Sequence, residues 1–205
     1  MLERFIGLLS LALLVACLWW LDLPSALSQQ GTESHPNAPG TSSTRQQGGE
    51  SHPTSARPSR ATPVTVARLV DGDTLIVRAE SGAPGVPAGV ETRVRLLEID
   101  TPESVTPGVP LECYGEQAAR ELTRLAPPGS RVWVLPDREL FDIYGRTLLY
   151  LWNDRGRFVN LELVRTGAAE AVLYEPNDRY IDVMDRAEAR ARRAGAGRWS
   201  RCPAV

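Results

Sequence analysis

The chain changes character abruptly after Ala61. From Gln29 to Thr62 it is mostly Gly, Ser, Thr, Pro, Gln and Glu, without one aromatic residue. Beyond that point "PVTVARLV" and "DTLIVRA" alternate apolar and polar positions on either side of Asp71 and Gly72. A period of two gathers the apolar side chains on one face of an extended chain, so this stretch admits half-buried strands and rejects a helix. Two such runs joined by Asp-Gly form the pattern of an antiparallel hairpin. A third strand is expected across "VETRVRLLEID", with Val94, Leu96 and Leu97 as its apolar members, and two shorter ones across "RVWVL" and "TLLYLW". Between them, "GEQAARELTRL" repeats Ala118, Ala119, Leu122 and Leu125 at helical spacing until Pro127, Pro128 and Gly129 stop it. Two more helices are expected, one from Asn160 as N-cap to Gly167 as terminator, the other from about Asn177 to Ala194. Five strands with a helix after the third imply an α+β fold. It is a closed five-stranded barrel of the OB type with three helices, one domain over residues 63–205.

The preceding residues answer to different physics. Residues 29–62 have too little to bury and are expected to be a disordered linker, with a root-mean-square reach of about 30 Å. Residues 1–28 read as an export signal, since Phe5 to Leu21 carries no charge, follows Arg4 and precedes Asp22. Three outcomes stay open at this point: cleavage after Ser28 in "ALSQQ", lipid attachment at Cys17 in "LVAC", and retention as an uncleaved anchor. The run falls slightly short of the roughly 20 residues of a relaxed span, and Leu18, Trp19, Trp20 and Leu21 are unusually apolar for the start of a mature lipoprotein. The expected location is outside the cell, either secreted or tethered by membrane attachment to the outer face of a bacterial membrane.

Composition narrows the chemistry. Lysine is absent, so all 23 basic residues are arginines, which excludes a P-loop lysine and Schiff-base catalysis. The two histidines, His35 and His52, both lie in the linker, and three cysteines cannot close a zinc site from one chain. Carboxylates and guanidinium groups remain. Asp71-Gly72-Asp73 alone is an ordinary turn signal, but it gains meaning beside "RLLEIDTPES". Arg95 stands five residues before Asp100, on the opposite pleat face unless a bulge intervenes. Pro102 turns the chain and sets Asp100 and Glu103 on one rigid corner. Two aspartates, a backbone carbonyl and a glutamate form a hard-oxygen set suited to calcium.

These motifs carry a resemblance. "VDGDT", "RVRLLEIDTPES", "CYGEQA", "DIYGRTLLYLW", "VNLELVRTGAAEAV", "YEPN" and "GRWS", in that order, resemble the staphylococcal nuclease (thermonuclease) family over roughly Pro63 to Ser200. The resemblance implies an OB barrel with three helices and a calcium-dependent phosphodiesterase, endonuclease and exonuclease, with DNA or RNA as its partner and a monomeric state. By position it implies calcium ligation by the Asp73 and Asp100 carboxylates and the Thr101 carbonyl, with Asp71 supporting them. Glu103 would orient or deprotonate the attacking water, Arg95 and Arg146 would hold the phosphate, and Tyr144 and Tyr174 would contact the nucleotide. Phosphodiester hydrolysis needs fixed cations at the non-bridging oxygens, and arginine supplies them without losing its proton. Two positions depart from the family pattern: Ile143 stands where a lysine is expected, and Val172 where an aromatic side chain would flank the nucleotide.

Charge sets a restraint. From Pro63 onward the chain has 19 arginines and 21 acidic residues, so bulk positive charge does not drive binding. The arginines Arg186, Arg190, Arg192 and Arg193 are expected on a solvated helical face, paired with Asp182, Asp185 and Glu188. Cys113 and Cys202, an even pair in an exported domain, are expected to form a disulfide, with two buried thiols as the alternative. The competing function is a non-catalytic OB-fold nucleic-acid-binding module of the cell envelope, which needs no convergence of Asp73, Arg95, Asp100, Glu103 and Arg146.

Overall fold

A computed structural model of the chain describes residues 56–104 and 111–203. The proposed export segment 1–28, its Cys17 and the linker up to residue 55 lie outside the described residues. Strand β1 (Thr62–Leu69) turns through Asp71 and Gly72 into β2 (Thr74–Arg78), which pairs with β3 (Thr92–Leu96). The chain continues through β4 (Ile99–Asp100), α1 (Gly115–Leu125), β5 (Arg131–Leu135) and β6 (Thr147–Asn153). It ends with α2 (Val159–Arg165), β7 (Glu170–Ala171), α3 (Ile181–Arg193) and the four-residue α4 (Arg198–Arg201). The barrel closes in the order β1-β2-β3-β6-β5, with β3 and β6 parallel and the other pairs antiparallel. A separate two-stranded sheet joins β4 to β7.

Alternation produces the inner core. Val64, Val66, Leu75, Val77, Val94, Leu96, Val132, Val134, Leu149 and Leu151 are buried inside the barrel. Strand β6 is buried on both faces, because Tyr150 and Trp152 on its outer side meet Phe158 and Tyr180 beneath the helical layer. Trp152 stacks on Phe158 at 4.6 Å between ring centroids, and Tyr150 meets Tyr180 edge-on at 4.7 Å. Aromatic pairs at such spacings contribute about 1 kcal/mol beyond their area burial.

Four expectations need correction. The third strand is not continuous: β3 stops at Leu96, and Glu98 takes a left-handed conformation with φ of 58° before β4 begins. Asn160 is not a cap, since Phe158 holds that position. Its amide is buried, accepting from Leu151 N at 3.0 Å and donating to the Leu97 carbonyl at 2.9 Å, so it ties helix to barrel. The last long helix starts at Ile181 rather than near Asn177, whose Oδ1 accepts from the backbone of Arg138 and Glu139 and so belongs to the preceding connection. Of the expected charge pairs on that helix, Glu188–Arg192 forms at 2.6 Å. Asp182 and Asp185 make no ion pair among the described residues, while Arg192 and Arg198 turn to Glu170 and the Trp199 ring.

Cys113 and Cys202 are joined by a disulfide, with Cα atoms 5.7 Å apart and 89 residues of separation. A cross-link of that span stabilises by about 4–5 kcal/mol in the chain-entropy account. Replacing both cysteines by serine is therefore expected to lower the urea midpoint markedly and, because the unfolded chain is freed to expand, to raise the slope; an unchanged midpoint would contradict this. A second expectation concerns Glu98, which is fully buried and whose Oε1 accepts from Tyr150 Oη at 2.5 Å and Tyr180 N at 2.9 Å. Burial pushes its pKa up from 4.5 to about 7. The folded state keeps a proton that the unfolded chain has released, so this group's stabilisation is complete below pH 4.5 and lost as pH rises to about 7. The loss is on the order of 3 kcal/mol. Denaturation midpoints between pH 4.5 and 8 should fall less steeply in Glu98→Gln than in the parent chain.

Candidate active site

The site is assembled where the β1–β2 turn meets the break between β3 and β4. Asp71 accepts from Asp73 N at 3.1 Å and so shapes the turn that aims Asp73 inward. Asp73 is 5% exposed. Its carboxylate accepts from Thr74 Oγ1 at 3.1 Å, and from Thr101 N, Thr101 Oγ1 and Arg95 Nη1 at 2.9 Å each. Arg95 is 7% exposed and bridges the two aspartates, with Nη2 donating to Asp100 Oδ1 at 2.6 Å. The same guanidinium donates to the Ile99 carbonyl at 3.0 Å and to Tyr174 Oη at 3.3 Å. The strand-parity conflict between Arg95 and Asp100 is resolved by the left-handed Glu98, which inserts a turn between them.

The corner carrying Thr101 and Glu103 rests on the β1–β2 turn and on α1 through contacts that admit no side chain. A Cβ on Gly72 would lie 2.7 Å from Thr101 Oγ1, and one on Gly115 would lie 2.4 Å from the Glu103 carbonyl oxygen. Glu112 clasps the same residue: its N–H donates to the Glu103 carbonyl, and its Oε2 accepts from Glu103 N, both at 3.0 Å. Glu103 Oε1 accepts from Ser104 N at 2.9 Å. Arg146 arrives from the β5–β6 connection, held by Asp142, which accepts from Arg146 N at 2.9 Å and from Arg146 Nε at 2.6 Å.

One polar cleft of about 240 Å³ is lined by Asp71, Asp73, Arg95, Asp100, Thr101, Glu103, Arg146 and Tyr174. Tyr144, 78% exposed, lies on the rim of an adjoining and more apolar cleft that shares Arg95, Arg146 and Tyr174 and includes Leu96, Leu148 and Ile143. Val172 does not line either cleft. The sequence reading did not single out four residues that hold these groups in place: Glu98, Glu112, Gly115 and Asp142. Only Asp142 carried a legible signal, because Asp-x-x-Gly in "DIYG" is a turn signature.

The carboxylates outweigh the cations available to them. Burial and then the Asp73 charge push Asp71 up to about 6. Asp100 is raised by burial, against the pull of Arg95 and with help from Asp73 and Glu170. Among the described residues no three acidic, histidine or cysteine side chains gather into a ready-made cage. The donor set on offer is two aspartate carboxylates and the Thr101 carbonyl, all hard oxygens, and an added divalent cation would relieve their mutual repulsion. The residues fit calcium or magnesium and do not fit a soft metal.

A family model described as "Staphylococcal nuclease homologue" matches residues 93–201. The thermonuclease of Staphylococcus intermedius is 38% identical over 136 residues, covering 66% of this chain and 75% of that protein. The thermonuclease of Staphylococcus hyicus is 34% identical over 135 residues, covering 66% and 74% respectively. Endonuclease YncB of Bacillus subtilis (strain 168) is 29% identical over 199 residues, covering 92% of this chain and 90% of that protein.

The Asp142 clamp has a direct readout. Asp142→Ala is expected to speed hydrogen exchange at Arg146 Nε at least tenfold, as losing a charge-assisted hydrogen bond of about 1.5–3 kcal/mol requires. An unaltered Nε–H signal in NMR would mean that Asp142 does not fix the guanidinium.

Proposed function

Because this chain belongs to the staphylococcal nuclease family, we propose that it is a nuclease whose cleft hydrolyses phosphodiester bonds of DNA, RNA or both with a bound calcium ion. The single observation that supports this most is the convergence of Asp73, Asp100, Glu103, Arg95 and Arg146 on one polar cleft. A binding module has no use for that combination. Asp73, Asp100 and the Thr101 carbonyl would hold the cation, which when bound supplies Lewis acidity and a positive charge beside the phosphate.

The remaining work falls to the chain's own groups. Glu103, whose backbone is clasped by Glu112, would orient a water and take its proton, a task for which a carboxylate suffices. The guanidinium groups of Arg95 and Arg146 face the cleft and meet the charge that grows on the non-bridging oxygens. Arg146 is oriented beforehand by Asp142, so little reorganisation is needed there, whereas Arg95 would exchange a present partner such as Tyr174 Oη for the phosphate oxygen. Tyr144 and Tyr174 border the neighbouring apolar cleft, where a nucleobase can stack without regard to its identity.

Export is part of the same proposal. The uncharged segment from Phe5 to Leu21 supports it, and so does the Cys113–Cys202 disulfide, a bond that persists in oxidising compartments. The protein would act as a monomer outside the cell, free or attached to the membrane by its N-terminus.

Digestion of single-stranded DNA, duplex DNA and RNA by the purified chain, with calcium, magnesium or chelator, tests the reading. Cleavage that needs calcium and stops with chelator is expected, and chelator-insensitive cleavage would overturn the metal assignment. Asp100→Asn and Arg146→Ala should each lower kcat at least about 100-fold in folded protein, as removal of one transition-state electrostatic group does. Full turnover in either variant would overturn the role given to that residue.

A further inference from the structure

The outer face of the barrel carries a second ordered set of arginines. In an antiparallel ladder, residues directly opposite each other project from the same face. Thr65 of β1 is opposite both Arg78 of β2 and Arg131 of β5, so Arg131, Thr65 and Arg78 form one outward row across three strands. The next row runs from Arg68 of β1 through Ile76 of β2 to Arg93 of β3. The neighbouring Val64, Val66, Leu75, Val77, Val94 and Val132 point into the core, which fixes the outward direction of both rows. Ile76 agrees with this placement, being 7% exposed and yet not part of the core cluster.

Arg95 continues the pattern. It sits two residues beyond Arg93 on β3, opposite Thr74 of β2, so its side chain leaves the same face one pleat repeat further on. The three rows therefore advance along the strands from Arg131 and Arg78, through Arg68 and Arg93, to the catalytic cleft, over about 13 Å at about 3.3 Å per residue. At the far end a groove of about 250 Å³ lies between Thr65, Arg78, Glu80, Ser81 and Arg131.

Charge on this face is only partly cancelled, although several arginines elsewhere are fully paired. Arg138, Arg165 and Arg179 are each held within 2.9 Å of a carboxylate. Here Arg93 and Arg131 make no ion pair among the described residues. Arg68 and Arg78 share one partner, Glu91, at 2.6 Å and 3.5 Å. With Glu80 at the groove, two glutamates stand against four exposed arginines, in a domain whose acidic residues otherwise outnumber its basic ones.

We propose that this face is a phosphate track, which holds the sugar-phosphate backbone of a single polynucleotide strand on one side of the scissile bond and leads it into the cleft. Barrels of this type carry oligonucleotides across the face of their second and third strands, the two strands that supply Arg78, Arg93 and Arg95. The track rests on the nuclease reading and gives it a substrate class: chains long enough to leave the cleft are held more tightly than a nucleotide that only fills it. It also explains how an acidic domain holds a polyanion, by sorting its charges rather than by their sum.

The test uses the double variant Arg93→Gln with Arg131→Gln, both at exposed positions outside the cleft, and Arg155→Gln with Arg157→Gln as a control of equal charge loss elsewhere. Binding of a labelled single strand of about 20 nucleotides is measured by fluorescence anisotropy in chelator, across a salt series. Cleavage of the same strand and of a nitrophenyl phosphodiester of thymidine is measured with calcium. The track variant should bind the long strand at least tenfold more weakly, with the slope of log K against log salt reduced by about 1.4, two contacts at about 0.7 each. KM for the long strand should rise in parallel while both constants for the short ester stay as in the parent. Equal weakening by the control pair, equal change on the short ester, or no change on the long strand would each overturn the track. So would loss of binding to anionic phospholipid vesicles with oligonucleotide binding intact. A parent chain that binds the long strand through Arg93 and Arg131 and cleaves neither substrate would leave the track standing and remove the nuclease reading.

Discussion

The guanidinium of Arg95 is the interaction on which the rest of this site depends. It is buried, it bridges Asp73 on one strand end and Asp100 on another, and it anchors to the Ile99 carbonyl beneath them. Removing such a group from water is tolerable only because nearly every donor finds an acceptor, two of them charged. The same bridge keeps two carboxylates together that would otherwise repel, and so it maintains a hard-oxygen donor set without a cage of three acids.

That bridge exists because the backbone breaks at one residue. Glu98 sits at φ 58°, a conformation that costs a non-glycine residue on the order of 1 kcal/mol. The packing around its carboxylate offsets that cost: Tyr150 Oη and Tyr180 N both donate to it, and its main-chain oxygen accepts from Val172 N. Tyr150 Oη is also 3.0 Å from Asp137 Oδ2, which in turn holds Arg179. The turn that sets the catalytic geometry is thus fastened to the barrel and to the start of α3. From the other side, Gly115 lets α1 press directly on Glu103, Gly72 lets the β1–β2 turn fit between Thr101 and Ala118 of α1, and the Cys113–Cys202 bond ties the entrance of α1 to Cys202 beyond α4. Helices far from the cleft in sequence therefore determine how precisely its carboxylates are held.

The elements that were legible in the sequence share one property: their signal is local. Period-two alternation marked the strands, helical spacing marked α1, and Asp-Gly marked the turn at Asp71. Asn160 misled because capping and buried amide bridging use the same residue type, and only the surroundings decide which occurs. The start of α3 misled because Asn177 is recruited by the backbone of Arg138 and Glu139, nearly forty residues earlier. Asp182 and Asp185 were expected to pair along their own helix, yet Arg192 and Arg198 found Glu170 and an indole ring across the fold. For the two asparagines a long-range partner outcompeted the local role, whereas Arg192 keeps its local Glu188 beside the distant Glu170.

By itself the sequence determined the inventory: a barrel-forming alternation, no lysine, no histidine within the folded domain, and carboxylates and arginines as the abundant charged groups. Those facts follow from residue type and spacing, and they restrict the chemistry before any coordinate is known. Only the tertiary structure decided which carboxylate meets which arginine. Arg95 and Asp100 lie on opposite faces by strand parity, and Arg93, Arg78 and Arg131 are scattered over more than fifty positions of the chain. A left-handed residue and the register of a closed barrel bring them together, because proximity in a folded chain is set by hydrogen-bonded ladders and packing, which no single stretch of sequence contains.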